Sequence, residues 1–224
     1  MGRRIIAQRR GRGSSTFRVP PRSFSPVVQY SNQVGVVTDI VNDTGRNAPL
    51  AEVQYSDKHV GYVIAPEGLK VGDVVNDYVM TLSDIPEGSD IFAIESSPNS
   101  GPTFCRTPGS SAILVSKGKK CSVKLPSKVV KTFHPECRAT IGIPAGDGRK
   151  DKPILKAGKK WIIAHRRGKY YPRTSGKKMN AVDHPYGGSG HGKRRSPVSH
   201  DTSPGAKVGT VSPRKTGKRK RKRI

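Results

Sequence analysis

No stretch of this sequence stays apolar for the roughly 18 residues that a membrane-crossing helix needs, so neither a span nor a membrane partner is expected. Residues 1–10 are basic, but the apolar run that follows the charged start of a secretory signal is missing. Gly2 is not followed by the Ser or Thr of a myristoylation signal. These absences lead to the expectation of a cytoplasmic protein, or one passing through the nucleus. Cysteine is scarce: Cys105, Cys121 and Cys137 are an odd, scattered set that makes no disulfide framework. Together with His134 they could supply four zinc ligands. Structural zinc sites usually bring a close Cys pair, however, and Cys105 and Cys121 each stand alone, so three small buried thiols is the better reading. Aromatic residues are only 6% of the chain, which allows a modest core but not one enclosing all 224 residues.

Acidic residues are the most telling shortage. Sixteen Asp and Glu face 42 Lys and Arg, a formal net charge of +26. Self-repulsion on that scale opposes compaction unless a polyanion neutralises it, and a pI of about 10.5 is the footprint of a nucleic-acid binder. The charge is unevenly spread. Residues 34–95 carry eleven carboxylates against three basic side chains, a net of −8, which leaves +34 on the rest. The polyanion affinity therefore belongs to the other segments.

Those segments begin with residues 1–33, where Arg3, Arg4, Arg9, Arg10 and Arg12 are interleaved with Gly, Ser and Pro and nothing repeats at a helix or strand period. Such a stretch is either a disordered tail or an arm that orders only on RNA. Residues 34–90 change character. Short β-branched runs (Val34–Val37 with Ile40 and Val41, Leu50 to Tyr55, Val60 to Ile64, Val71 to Val75, Val79 to Leu82) alternate with turn clusters, the pattern of a small β-barrel. Residues 91–164 read as a second β domain with strands at Ile91 to Ile94, Ser111 to Val115, Cys121 to Leu125, Lys128 to Phe133 and Ala139 to Ile143. The run Ser116-Lys-Gly-Lys makes a hairpin turn, and Leu155 to Ile163, holding the single Trp161, suits a short helix. Residues 165–224 form a second basic extension. It ends in a lysine–arginine block whose composition suits a polyanion-binding tail or a nuclear-import signal alike.

Within that extension residues 176–192 read G-K-K-M-N-A-V-D-H-P-Y-G-G-S-G-H-G. The segment has no hydrophobic period, its glycines permit close backbone approach, and Lys177, Lys178, Lys193, Arg194 and Arg195 bracket it with positive charge. Met179, Asn180, Asp183, His184, Tyr186, Gly187 and Gly188 would mould onto a polyanion. His184 beside Asp183 invites an acid–base reading, but neighbours in an extended segment point to opposite sides, so Asp183 is poorly placed to orient the imidazole. No G-x-S-x-G nucleophile setting exists, and the glycines lack the G-K-[ST] and strand-to-helix context of a nucleotide loop. Nothing calls for an enzyme or a cofactor.

Three motifs carry a resemblance. They are H-P-E-C-R-A-T-I-G from His134, G-R-K-D-K-P-I-L-K-A-G-K-K-W from Gly148, and M-N-A-V-D-H-P-Y-G-G from Met179. Together they resemble the universal ribosomal protein L2 family of the large subunit, and the start, M-G-R-R-I-I-A-Q-R-R-G-R-G, is similar to its archaeal–eukaryotic branch. The resemblance implies an all-β fold, an OB-type barrel followed by an SH3-like barrel, with both extensions threaded into ribosomal RNA. It implies rRNA contacts from the residues named above and from Lys159, Lys160, Arg166, Arg167 and Arg173. The partners it implies are large-subunit rRNA, other ribosomal proteins and the small subunit at an intersubunit bridge, with support for tRNA binding and the peptidyl-transferase region. Ala181 stands where the family usually has proline, Tyr186 where bacterial members have histidine, and Thr174-Ser175-Gly176 replaces a more usual V-R-G. A tandem-barrel RNA-binding factor outside the ribosome is the competing reading.

Overall fold

The computed structural model describes residues 2–149, 151–189 and 197–214. The chain divides into two compact units, one over Pro20–Lys159 and one formed by the chain up to Val19 with the chain from Lys160 on.

The first unit is built from short antiparallel strands, as the alternating β-branched runs require. β1 (Gly35–Val41), β2 (Leu50–Tyr55) and β3 (Val60–Ile64) form a sheet in the order β1-β2-β3, with a bulge between Val37 and Asp39. The two-residue pleat sends Val37, Val53 and Val63 into the core. Tyr55 lies over two positions without side chains: a Cβ at Gly61 would stand 2.7 Å from its ring, and one at Gly35 also 2.7 Å. The β2–β3 turn closes through Lys58 at φ 66°, with the His59 N–H donating to the Asp57 carboxylate.

The valines at 71–75 do not make the strand their β-propensity suggests. Gly72 at φ 98° turns the chain, Val71 stays 60% exposed, and Val75–Asp77 is a 3-10 turn that buries Val75 alone. Local turn geometry outweighs propensity here.

Six strands form the second sheet. β4 (Val79–Thr81), β5 (Asp90–Phe92), β8 (Ala112–Ser116), β9 (Cys121–Lys124), β10 (Val130–Phe133) and β11 (Arg138–Ile141) run in the order β10-β9-β8-β5-β11-β4. β4 and β5 thus both hydrogen-bond to β11, one on each side of it. The stretch Ile91 to Ile94, expected as one strand, is two. Ala93 sits at φ 52° and breaks it, so that β6 (Ile94–Glu95) pairs instead with β7 (Pro102–Phe104). The break aims successive side chains at different cores: Phe92 joins the cluster of Leu50, Val53 and Ile64, whereas Ile91 and Ile94 join that of Leu82, Leu114 and Val123.

Buried polar groups tie the clusters together. Glu95, with 0% exposure, accepts from the backbone N–H groups of Asn99, Gly101 and Arg138 and from the Arg138 guanidinium at 3.2 Å. The Tyr30 hydroxyl donates to the Ala93 carbonyl at 2.8 Å and lies 2.7 Å from the Thr140 hydroxyl. Burial pushes its phenol well above the usual range.

Cys121 and Cys137 are buried and Cys105 is partly so; all three are free thiols. Burial raises the thiols of Cys105 and Cys137, and the thiolate is the reactive form. Iodoacetamide is therefore expected to label Cys121 and Cys137 at least about 100-fold faster in denaturant than in buffer, because both require the unit to open. Equal rates in a mass-spectrometric time course would contradict this burial.

In the second unit α1 (Ile6–Gly11) follows Ile5, and α2 (Ala157–His165), which begins just before the unit, falls where the helix was expected. Neither helix buries a residue, and among the described residues no helix is long and apolar enough to cross a membrane. The Arg3 N–H donates to the Val182 carbonyl at 2.7 Å, and Gly205 sits against the Gln8 side chain. From residues 2–19 and from Lys160 on, only Ile5 and Gly187 are buried among the described residues. Turns and hydrogen bonds set this shape, which is why no apolar period announces it.

Candidate nucleic-acid interface

Residues 176–189 fold into a compact loop without regular structure beyond the 3-10 turn Gly176–Lys178. Its closure is a set of backbone bonds. The N–H groups of Asp183 and His184 donate to the Asn180 carbonyl at 3.0 and 3.3 Å, that of Gly187 to His184 at 2.9 Å, and that of Gly188 to Met179 at 3.0 Å. Gly187 is buried in the crossing, and a Cβ there would overlap the carbonyl of Asn180. Gly176 lies against the His184 imidazole closely enough that a Cβ would overlap the ring.

The side chains sort by role. Asp183 faces Arg3, with 3.3 Å between carboxylate and guanidinium, so the acid beside His184 serves the N-terminal arm. The Tyr186 N–H donates to Nδ1 of His184 at 3.0 Å, and the two rings pack 5.3 Å apart. An Nδ1 that accepts this bond leaves the neutral imidazole's proton on Nε2, so that nitrogen is a donor. The Tyr186 hydroxyl reaches the Val208 carbonyl at 3.4 Å. Met179 is partly buried, while Asn180 and Gly188 are exposed.

Of the basic residues singled out from sequence, Arg3, Arg4, Arg9, Arg10 and Arg12 are exposed on or beside α1. Lys159 and Lys160 are exposed on α2, Arg166 and Arg173 are exposed beyond it, and Arg167 is partly buried. Lys177 and Lys178 project from the 3-10 turn. All but Lys159 lie in the second unit. Lys193, Arg194 and Arg195 lie outside the described residues.

Residues 152–182 hold ten Lys and Arg and no Asp or Glu, so nothing within that stretch neutralises the charge. Three ring pairs accompany it: Phe17 with Tyr170 at 5.8 Å, Trp161 with His165 at 5.0 Å, and His184 with Tyr186. The pairings of Phe17 and His165 were invisible in sequence for different reasons. Phe17 reaches Tyr170 from the far end of the chain, whereas His165, four residues after Trp161, lies two residues past the end of the expected helix at Ile163. Among the described residues no group of three His, Cys, Asp or Glu is placed to hold a metal ion. A cleft of about 410 Å³ in the first unit is lined by Tyr30, Asn32, Tyr55, Asn76, Met80 and Arg138 among others.

The family model for the RNA-binding N-terminal domain of ribosomal proteins L2 matches residues 4–77, and that for their C-terminal domain matches residues 76–214. The chain is 44% identical to the large ribosomal subunit protein uL2 of Natronomonas pharaonis, covering 97% of each. It is 42% identical to the protein of that name in Methanocaldococcus jannaschii, covering 98% of this chain and 100% of the relative. A third, from Methanococcoides burtonii, is 43% identical with the same coverage. The all-β architecture is that of the family's OB-type and SH3-like barrels. The chain therefore belongs to the L2 family of large-subunit ribosomal proteins, which are structural RNA-binding proteins and not enzymes.

Proposed function

We propose that this protein is a primary rRNA-binding constituent of the large subunit whose extension unit does most of the binding. In this reading it works in the cytoplasm, supports association with the small subunit at an intersubunit bridge and supports tRNA binding. It also shapes the peptidyl-transferase region through the loop around His184. The observation that carries the reading is the stretch 152–182, free of acidic residues, mostly exposed, and contiguous with a loop whose backbone is already closed. Phosphates neutralise such a surface and release counterions, while exposed rings accept unpaired bases. The acidic first barrel, at −8 over residues 34–95, serves as anchor. His184 acts by packing and by donating from Nε2, with no proton transfer of its own.

The test is the salt dependence of binding to a large-subunit rRNA transcript. Replacing Arg173, Lys177 and Lys178 together by alanine is expected to make the log–log slope shallower by about 2–3, since each phosphate contact contributes about 0.7–0.9. Lys58→Ala, on the β2–β3 turn, should leave the slope unchanged. An unaltered slope in the triple variant would remove these residues from the interface.

A further inference from the structure

We infer that Trp161 and His165 form a base-stacking platform that takes one unpaired nucleobase of the RNA. The inference rests on the rRNA-binding reading and adds to it a site that neither charge nor the loop motif indicates. The two rings stack with centroids 5.0 Å apart and planes within 15°, joined by the i, i+4 spacing of α2. The imidazole covers one face of the indole, yet the chain's single tryptophan remains 49% exposed. Ile162 beside it is 45% exposed, and α2 buries nothing. An isolated nine-residue helix is too short to be stable by itself, so an apolar face left open on one calls for an occupant outside the chain.

Charge identifies that occupant. Lys159 and Lys160 on α2 and Arg166 just after it are exposed, and no carboxylate occurs between residues 152 and 182. A protein partner would have to assemble carboxylates and a flat apolar ring from separate side chains, whereas every nucleotide of RNA brings a base and a phosphate together. Base–aromatic stacking is tolerant of sequence because every base has a π-face. The site therefore selects for an unpaired base over a paired one, and not among the four bases.

The tryptophan is its own reporter. The full chain is titrated at fixed salt with a single-stranded 12-mer oligoadenylate and with a blunt RNA duplex carrying the same number of phosphates, following indole fluorescence and, separately, retention on a filter. The single strand is expected to quench Trp161 by about half or more and the duplex hardly at all, although both are retained. Trp161→Ala should weaken the single strand by about 10-fold, leave the duplex within about 2-fold, and be largely rescued by Trp161→Phe. Equal quenching by both RNAs, or single-strand binding without quenching, would overturn the platform and leave the face to a protein partner. Failure of either RNA to bind would instead overturn the rRNA-binding reading, and the platform with it.

Discussion

Replacing Glu95 with alanine is expected to lower the stability of the Pro20–Lys159 unit by about 3–5 kcal/mol. The carboxylate is fully buried, and three backbone N–H groups and the Arg138 guanidinium converge on it. Arg138 is itself only 13% exposed, so truncation strands a cation as well as three donors. Leaving a buried charge uncompensated costs more than the pair contributes when intact. For a chain of this size the loss corresponds to a fall of about 10 °C in the melting transition. Glu95→Gln keeps the volume and an acceptor and should fall between wild type and Glu95→Ala. Combining Glu95→Ala with Arg138→Met should recover part of the loss, because the unpaired charge disappears with its partner. Urea melts of the full chain followed by circular dichroism give all three values. A loss below about 1 kcal/mol for Glu95→Ala would mean that water reaches the site.

The second large effect concerns function. Large subunits carrying Gly187→Val are expected to form peptide bonds about 10-fold or more slowly than wild type, with the protein still assembled. A Cβ at Gly187 overlaps the Asn180 carbonyl, and the His184 and Gly188 N–H bonds that close the loop run to that carbonyl and to its neighbour at Met179. Opening that crossing shifts His184 and Tyr186 together, and misplacement by about 1 Å is enough for losses of this order. Gly158→Ala, at an open position on α2, should be neutral. His184→Gln separates position from proton transfer. The amide still offers a donor where Nε2 stood, so activity close to wild type is expected at every pH. A rate that regains its pH dependence only with histidine would restore an acid–base role. Full activity of Gly187→Val would show that the closed loop is dispensable.

Much of the β architecture was legible because strands announce themselves through β-branched runs and turn residues. β1, β2, β3, β8, β9 and β10 lie on such runs, and the charge inversion over residues 34–95 separates acidic from basic segments without any geometry. What failed to show depends on single backbone angles or on distant partners. Nothing in Ile91-Phe-Ala-Ile signals that Ala93 adopts φ 52°, since alanine there is held by its surroundings and has no preference for that region. The valines at 71–75 are good strand formers overruled by Gly72. In the loop, residue types pointed to the right segment, but the pairing of Asp183 with Arg3 spans the length of the chain. Trp161 stood out by its rarity; its partner His165 lies two residues past Ile163, where the expected helix ended.

The kink at Ala93 also bears on synthesis. Phe92 plugs the core of the earlier barrel and the Ala93 carbonyl receives the Tyr30 hydroxyl, although both residues lie well downstream of β3. A nascent chain that has emerged only as far as residue 77 still lacks the ring that seals its first barrel. The core of the first barrel is thus complete only once the strand that opens the second is present.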